Sequence, residues 1–186
     1  MSRSFTALVA ALLMCVMVSG CSAKPEAGRS AFGPPPWIHT IEAKGPVSQG
    51  WLVTHVVDGD TVDLTHNRRT LRVRLIGIDS PETVHPFQPV ECFGPEATAF
   101  ADRRLLGDHI TLEFDPTQGR VDYYGRTLAY IWQGRGRHPR LFNEVAVRLG
   151  YAEEYTYDAP YAWQRRLQRA EISAASQGRG LWGACR

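Results

Sequence analysis

Hydrophobic and polar residues alternate in five stretches of the chain, and this period of two predicts β-strands. The stretches are WLVTHVV, TVDLTH, TLRVRLIGI, HITLEF and RTLAYIW, all between residues 51 and 132. The first two flank DGD, residues 58–60, and an Asp-Gly pair between two strands predicts a hairpin. We therefore expect a sheet that begins with a hairpin.

Three other segments carry apolar residues at spacings of three and four, which predicts amphipathic helices. The first follows Pro95, the second stops at Gly150, and the third begins near Pro160 and ends before Gly178. Their apolar faces are Ala97, Phe100, Ala101 and Leu105; Phe142, Val145, Ala146 and Leu149; and Trp163, Leu167, Ala170 and Ala174. Because strand–helix–strand repetition is missing, the pattern favours a small closed or partly open α+β barrel.

The first twenty residues differ from the rest of the chain. Arg3 precedes an apolar run that suits a signal sequence better than a membrane span. VSGC, residues 18–21, resembles a bacterial lipobox, so residues 1–20 are predicted to be a lipoprotein signal peptide with lipid added to Cys21. This predicts an envelope protein, anchored in a membrane and facing outside the cytoplasm. The alternative is a secretory signal cleaved nearby.

Residues 21–46 are rich in Pro, Gly, Ala and Ser, which is typical of a flexible tether. We therefore assign residues 47–186 to the folded domain. With Cys15 and Cys21 in the N-terminal part, two cysteines remain, and an exported compartment favours a disulfide between Cys92 and Cys185. Two independent thiols are the alternative.

Length and composition allow several classes of function. The chain has 186 residues, of which 44% are hydrophobic, so one domain with a substantial core is expected. Only Lys24 and Lys44 are lysines, which leaves 19 arginines among the 21 basic residues (21 − 2), and the formal net charge is +2. Arginine suits phosphate binding, but genomic base composition produces the same bias. Composition thus permits a nucleic-acid enzyme without arguing for one.

Carboxylates follow two of the predicted strands. Asp58 and Gly59 of DGDT suit a tight turn, whereas a carboxylate at such a hairpin corner is also a hard oxygen ligand for Ca²⁺ or Mg²⁺. One carboxylate cannot hold the ion, and Asp79 completes the site if its strand runs beside the hairpin. Glu82 follows within the IDSPE turn and suits orientation or deprotonation of water.

Two arginines share one face of the third predicted strand. Arg72 and Arg74 alternate with apolar residues, and either they line a solvated face or one faces the acids and binds a phosphoryl group. Arg126 opens the last strand, where it either contacts phosphate or pairs with Asp122 at the surface. Tyrosines nearby, at 123, 124, 155 and 157, offer faces for base stacking or belong to an ordinary rim.

The order of these motifs resembles the staphylococcal-nuclease (thermonuclease) family. The matching segments are VVDGDTVDL, RVRLIGIDSPETVHP, FGPEATAFA, DYYGRTLAYIW, FNEVAVRLGYAEEYTY and GLW, between about residue 51 and residue 182. The resemblance implies an α+β fold, an OB-fold five-stranded β-barrel with three α-helices. It also implies a Ca²⁺-dependent phosphodiesterase that acts on DNA and RNA and leaves 3′-phosphorylated products.

The resemblance assigns roles to individual residues. The implied Ca²⁺ ligands are Asp60, Asp79 and the backbone carbonyl of Ser80, with Asp58 near the metal. The implied catalytic residues are Arg74 and Arg126 on the scissile phosphate and Glu82 on the attacking water. The implied nucleotide contacts are Tyr124, Tyr155 and Tyr157. Arg72 has no counterpart.

The chain departs from the family pattern at three places. Tyr123 stands where the best-known member has a phosphate-contacting lysine, and residues 87–93 lack that member's basic residues. Fewer cations predict looser binding of polynucleotide. One residue is missing before Tyr155, which leaves the register of this tyrosine open.

A second class of function fits the same fold. A non-catalytic OB-fold module would bind nucleic acid or a protein at the envelope without chemistry. It has no need for metal-binding acids together with Glu82, so the full charged set favours the enzyme. We expect a monomer without an obligate protein partner.

Overall fold

The computed structural model describes residues 47–83, 89–134 and 138–185. The expected signal peptide, residues 1–20, and tether, residues 21–46, lie outside the described residues, and so does the lipidation candidate Cys21. In the described part, no helix combines the length and the apolar character needed to cross a membrane.

Five long strands form a closed barrel, which confirms the predicted fold class. The long strands are β1 Val47–Val56, β2 Thr61–His66, β3 Arg69–Leu75, β5 His109–Glu113 and β6 Thr127–Gln133. In the described residues, three further strands have two residues each: β4 Ile78–Asp79, β7 Arg140–Leu141 and β8 Glu153–Glu154. The order in the main sheet is β3-β2-β1-β5-β6-β7, and β6 also pairs in parallel with β3. This last pairing closes the five-stranded ring.

The alternation in the sequence becomes the two faces of the barrel wall. In the β2–β3 hairpin, Val62 lies opposite Val73 and both are fully buried, whereas Asp63 lies opposite Arg72 on the outer face. Removing one such apolar side chain from water contributes about 1.5–3 kcal/mol. A shift of one residue would expose the apolar set, so burial fixes the register.

Within the residues that the structure describes, three helices and one single helical turn complete the fold. They are α1 Gly94–Leu105, α2 Phe142–Leu149, α3 Gln164–Ser176 and the single turn α4 Leu181–Ala184. The apolar face predicted for α1 is buried in full, and Pro95 lies in its first turn. The start predicted for α3, near Pro160, is too early: the helix begins at Gln164, after a turn in which the N–H of Ala162 donates to Oδ2 of Asp115 at 2.8 Å.

A buried asparagine ties α2 to the barrel beside the segment that links β3 and β4. The Oδ1 of Asn143 accepts the N–H of Ile131 at 3.1 Å, and its Nδ2 donates to the carbonyl of Ile76 at 2.9 Å. Asn143 has no exposed surface, so both bonds are shielded from water. The chain that leads to Asp79 is therefore held in place from inside the fold.

Candidate active site

The β1–β2 hairpin brings two acids to the end of the barrel. The N–H of Val57 donates to Thr61 at 2.9 Å, and Oδ1 of Asp58 accepts the N–H of Asp60 at 3.0 Å. The glycine of this turn is required for close packing: a Cβ on Gly59 would lie 2.7 Å from the Cβ of Ser80. The hairpin therefore packs directly against the chain that follows β4.

Asp60 is almost fully buried and accepts several hydrogen bonds. Its Oδ2 accepts the N–H of Ser80 at 2.7 Å and the Ser80 hydroxyl at 3.0 Å, while Oδ1 accepts the hydroxyl of Thr61 at 3.0 Å. Ser80 is thus placed beside Asp60 through its N–H and hydroxyl, whereas the resemblance implies a role for its carbonyl. These bonds join the hairpin to the end of β4.

Arg74 bridges the two acids proposed from the sequence. Its guanidinium lies 3.0 Å from Oδ1 of Asp60 and 2.6 Å from Oδ1 of Asp79, and it donates to the carbonyl of Ile78 at 2.7 Å. The Arg74 side chain is only 14% exposed. The guanidinium therefore joins Asp60 of the β1–β2 hairpin to Asp79 at the end of β4.

Arg72, two residues earlier on β3, has a different environment. Its Nε donates to Oδ1 of Asp63 at 2.8 Å on the outer face of the barrel, and 54% of its side chain is exposed. Arg72 therefore lies on the solvated face that the sequence offered as one alternative, and of the two arginines only Arg74 contacts the acids.

The acids at this end of the barrel repel one another. Burial raises the pKa of Asp58, and the charge of Asp60 raises it further. Loss of water contacts also raises the pKa of Asp79, where Arg74 offsets part of the effect and Asp60 adds to it. This occurs although 56% of the Asp79 side chain is exposed. The single positive charge of Arg74 therefore does not balance the negative charges of the three carboxylates.

The donor set fits a hard divalent cation in its chemistry. Asp58, Asp60 and Asp79 offer carboxylate oxygens, which are the ligands Ca²⁺ takes in proteins, and a cation would relieve their repulsion. In the part of the chain that the structure describes, no three His, Cys, Asp or Glu side chains are grouped closely enough to hold a metal on their own. The fit is therefore one of donor type and charge, with the remaining ligands to come from backbone, water or substrate.

Glu82 lies three residues after Asp79, between β4 and α1. Its Oε1 accepts the N–H of Thr83 at 2.8 Å, and its own N–H donates to Oε2 of Glu91 at 2.9 Å. Sequence reasoning missed Glu91, since a glutamate next to Cys92 in a loop carries no recognisable signal. Glu82 is half-buried and is not among the residues that line the cleft described next.

An open cleft of about 550 Å³ lies beside the acids. Its lining includes Arg74, Asp79, Arg126, Tyr124, Tyr155 and Tyr157. The structure thus brings Arg126 to the same cleft as Arg74 and Asp79. Tyr124 and Tyr157 are largely exposed at its mouth, where a base could stack on them.

Asp122 orients Arg126. Its Oδ2 accepts the Nε–H of Arg126 at 2.6 Å, and its Oδ1 accepts the backbone N–H of Arg126 at 2.8 Å. Within the described residues, the terminal nitrogens of Arg126 form no hydrogen bond, and the guanidinium lies 5.3 Å from the centre of the Tyr124 ring. The ion pair with Asp122 considered from the sequence is therefore present, and it leaves the guanidinium fork for a phosphate.

The pairing of β4 with β8 sets the register of the second tyrosine pair. Ile78 lies opposite Glu154, and the N–H of Tyr155 donates to the carbonyl of Gly77 at 3.1 Å. The hydroxyl of Tyr161 lies 3.2 Å from the same carbonyl and donates to Oε1 of Glu154 at 2.7 Å. Sequence reasoning missed Tyr161, which lines the cleft, and the only signal was the glycine of LIGID. Gly77 has a φ of +77°, and a Cβ there would lie 2.5 Å from the Tyr161 ring.

A disulfide joins Cys92 to Cys185, with a Cα–Cα distance of 5.8 Å and 93 positions between the two residues in sequence. It links the end of the loop after Glu82 to the segment that follows α4.

Comparison with known proteins gives a consistent set of relatives. A family model described as "Staphylococcal nuclease homologue" matches residues 72–184. A thermonuclease of Staphylococcus hyicus is 37% identical over 134 residues, which cover 72% of this chain and 76% of that protein. A thermonuclease of Staphylococcus intermedius is 34% identical with the same coverage. A prophage-derived endonuclease of Bacillus subtilis, YokF, is 32% identical over 68% of this chain and 41% of its own length.

Proposed function

Because the chain belongs to the staphylococcal nuclease family, we propose that it hydrolyses phosphodiester bonds of DNA and RNA in a Ca²⁺-dependent reaction. The observation that carries this proposal is the contact of Arg74 with both Asp60 and Asp79 at the wall of a cleft that Arg126 also lines. A module that only binds nucleic acid gains nothing from acids placed beside its phosphate-binding arginines, because they repel the ligand.

The acids have two roles in the proposed reaction, namely binding of the metal ion and activation of water. Asp60, Asp79 and the carbonyl of Ser80 would hold Ca²⁺, with Asp58 nearby. When bound, the ion neutralises and polarises the phosphodiester. Glu82 would orient the attacking water and take its proton, which is the role of a general base.

The arginines stabilise the charge that develops on the phosphate. Arg74 is held by fixed acceptors, and the free fork of Arg126 suits two phosphate oxygens. Donors that are already oriented need no rearrangement during the reaction, and each is worth about 2.7–4 kcal/mol of transition-state stabilisation. In-line attack with departure of the 5′-oxygen gives 3′-phosphorylated products.

The test is digestion of single-stranded DNA and of RNA by the purified protein in Ca²⁺ and in chelator. We expect cleavage only in Ca²⁺ and a loss of at least about 100-fold in Glu82→Gln, within the range for general-base catalysis. Arg74→Gln should lose activity by a similar factor. Arg72→Gln is the matched control, since Arg72 lies on the same strand but faces away from the cleft, and it should retain activity.

Equal cleavage with and without Ca²⁺, or full activity of Glu82→Gln, would contradict the proposal. Binding without cleavage by the wild-type protein would favour the non-catalytic module instead. End-group analysis of the products decides the bond that breaks, because 5′-phosphorylated ends are incompatible with departure of the 5′-oxygen.

We also propose that lipid on Cys21 anchors the protein at the cell envelope, outside the cytoplasm. The support is the VSGC sequence at residues 18–21 alone. Cell fractionation tests it: Cys21→Ser should move the protein out of the membrane fraction and abolish incorporation of labelled fatty acid. An unchanged distribution would contradict the anchor.

A further inference from the structure

The backbone of Glu82 is held by a residue on the far side of the loop that follows it. The N–H of Glu82 donates to Oε2 of Glu91 at 2.9 Å, and the N–H of Glu91 donates to the carbonyl of Glu82 at 2.9 Å. One of these bonds is made by a side chain, so it depends on residue 91 being able to accept a hydrogen bond. Glu82 is thereby clamped to a carboxylate nine positions away.

The start of α1 supports the same segment from the other side. A Cβ on Gly94 would lie 2.7 Å from Cγ2 of Thr83 and 3.0 Å from the carbonyl of Glu82, so the helix packs directly on this backbone. The N–H of Gly94 donates to the carbonyl of Glu91 at 3.0 Å. Glu91 therefore lies in a short turn that is fixed by α1 and reaches back to Glu82.

The residue next to Glu91 is covalently anchored. Cys92 is joined to Cys185, and the segment before Cys185 is itself fixed to the fold through the buried Leu181, whose N–H donates to Gly150 at 2.9 Å. The turn that carries Glu91 is thus attached to the C-terminal part of the domain. A loop residue without this anchor would have a less defined position.

We propose that Glu91 is a positioning residue of the nuclease reaction: its carboxylate fixes the backbone of Glu82, and the Cys92–Cys185 disulfide fixes Glu91. The inference rests on the proposed function of Glu82. Its physical basis is the geometric sensitivity of catalysis, since a displacement of about 1 Å costs up to about 100-fold in rate. Glu91 is exposed and hydrogen-bonds to neither arginine of the cleft, but its negative charge also acts on Asp79, so the test has to separate its charge from its hydrogen bond to Glu82.

The kinetic test compares two substitutions of Glu91. Glu91→Gln keeps an oxygen that can accept the N–H of Glu82, whereas Glu91→Ala does not. We expect kcat of Glu91→Ala to fall about tenfold, a misplacement smaller than the 1 Å case, with KM changed less than about twofold. Glu91→Gln should stay close to wild type. Glu96→Ala, which removes an exposed acid from the first turn of α1, is the control for charge and should not change kcat.

The second test does not depend on activity. Amide hydrogen exchange of Glu82, followed by NMR, should be slow in the wild type and in Glu91→Gln. It should be at least about tenfold faster in Glu91→Ala, and also in a Cys92→Ser/Cys185→Ser double variant, because an amide exchanges when its hydrogen bond opens.

These measurements separate failure of this inference from failure of the proposed function. Equal loss of kcat in Glu91→Gln and Glu91→Ala would overturn positioning, since it would mean that the charge of Glu91 matters rather than its hydrogen bond. Unchanged exchange of the Glu82 amide in Glu91→Ala would also overturn it. An active Glu82→Gln variant would instead refute the proposed role of Glu82, while the exchange data would still decide whether Glu91 holds the backbone.

Discussion

Replacing Tyr130 with phenylalanine removes one buried hydroxyl and leaves the ring in place. Tyr130 has no exposed surface, and its hydroxyl donates to Oδ2 of Asp115 at 2.6 Å. The same oxygen accepts the N–H of Ala162 at 2.8 Å, and Oδ1 accepts both the N–H and the hydroxyl of Thr117 at 2.8 Å. One carboxylate therefore connects β6, the loop after β5 and the turn before α3.

The expected magnitude follows from this inventory. A hydrogen bond to a charged group contributes about 1.5–3 kcal/mol, so we expect the free energy of unfolding to fall by that amount in Tyr130→Phe. Asp115 keeps its other three donors, which limits the loss. Asp115→Ala breaks all four bonds and leaves the Tyr130 hydroxyl buried without this acceptor, so its cost should be greater, on the order of 4 kcal/mol.

Urea unfolding followed by tryptophan fluorescence measures both values. Tyr151→Phe is the matched control, because the Tyr151 ring is stacked on Phe100 at 4.1 Å while its hydroxyl bonds to none of the described residues. We expect a change below about 0.5 kcal/mol for it, as for substitutions that break no specific feature. A loss in Tyr130→Phe no larger than that of the control, with an unchanged m-value, would refute the reasoning.

Two further predictions concern the backbone at Gly77 and an ion pair on the outer face of the barrel. Gly77→Ala should lower the free energy of unfolding by about 2–4 kcal/mol, because of the left-handed backbone and the clash with Tyr161. Gly107→Ala is the control: Gly107 has φ +80° but open space around it, so the loss should be only about 1–2 kcal/mol. Equal losses of the two variants in urea unfolding would contradict the clash. The hydrogen bond from Arg72 lowers the pKa of Asp63 in the folded protein, so the stabilisation is present above the ordinary value of 3.8 and is lost as pH falls below it. Asp63→Asn should therefore cost about 0.2–1 kcal/mol at pH 7 and nothing in strong acid, and a cost that does not depend on pH would contradict this.

Sequence periodicity predicted the five barrel strands because each is long enough to show alternation. It predicted β3 and β4 as one continuous strand, which the structure divides before Ile78, and it did not predict β7 or β8, which have two residues each and pair with β6 and β4. The start of α3 was also placed too early, and the turn before it contacts Asp115, 47 positions away from Ala162 in sequence. Local patterns carry no information about such distant partners.

The same limit applies to the site. Alternation places Arg72 and Arg74 on one face of β3, yet only Arg74 contacts the acids. Arg74 lies where β3 pairs with β6, opposite Leu128, and the chain then turns so that the carbonyl of Ile78 comes within reach. Arg72 lies opposite Asp63, which satisfies it on the outside of the barrel. The pairing of β3 with β6 closes the barrel and determines which arginine contacts the acids, and the sequence pattern does not predict this pairing.

The charge distribution at this end of the barrel supports the proposed cation site. Asp58, Asp60 and Asp79 approach one another with Arg74 as their shared counterion, and the pKa of both Asp58 and Asp79 is raised. A raised pKa means that the fold disfavours the charged form, so holding these acids ionised lowers stability at neutral pH. Replacing one of these three carboxylates with a neutral residue would reduce their mutual repulsion. A bound divalent cation would reverse the effect, because it favours the ionised carboxylates, and the stability lost in its absence becomes a contribution to its affinity.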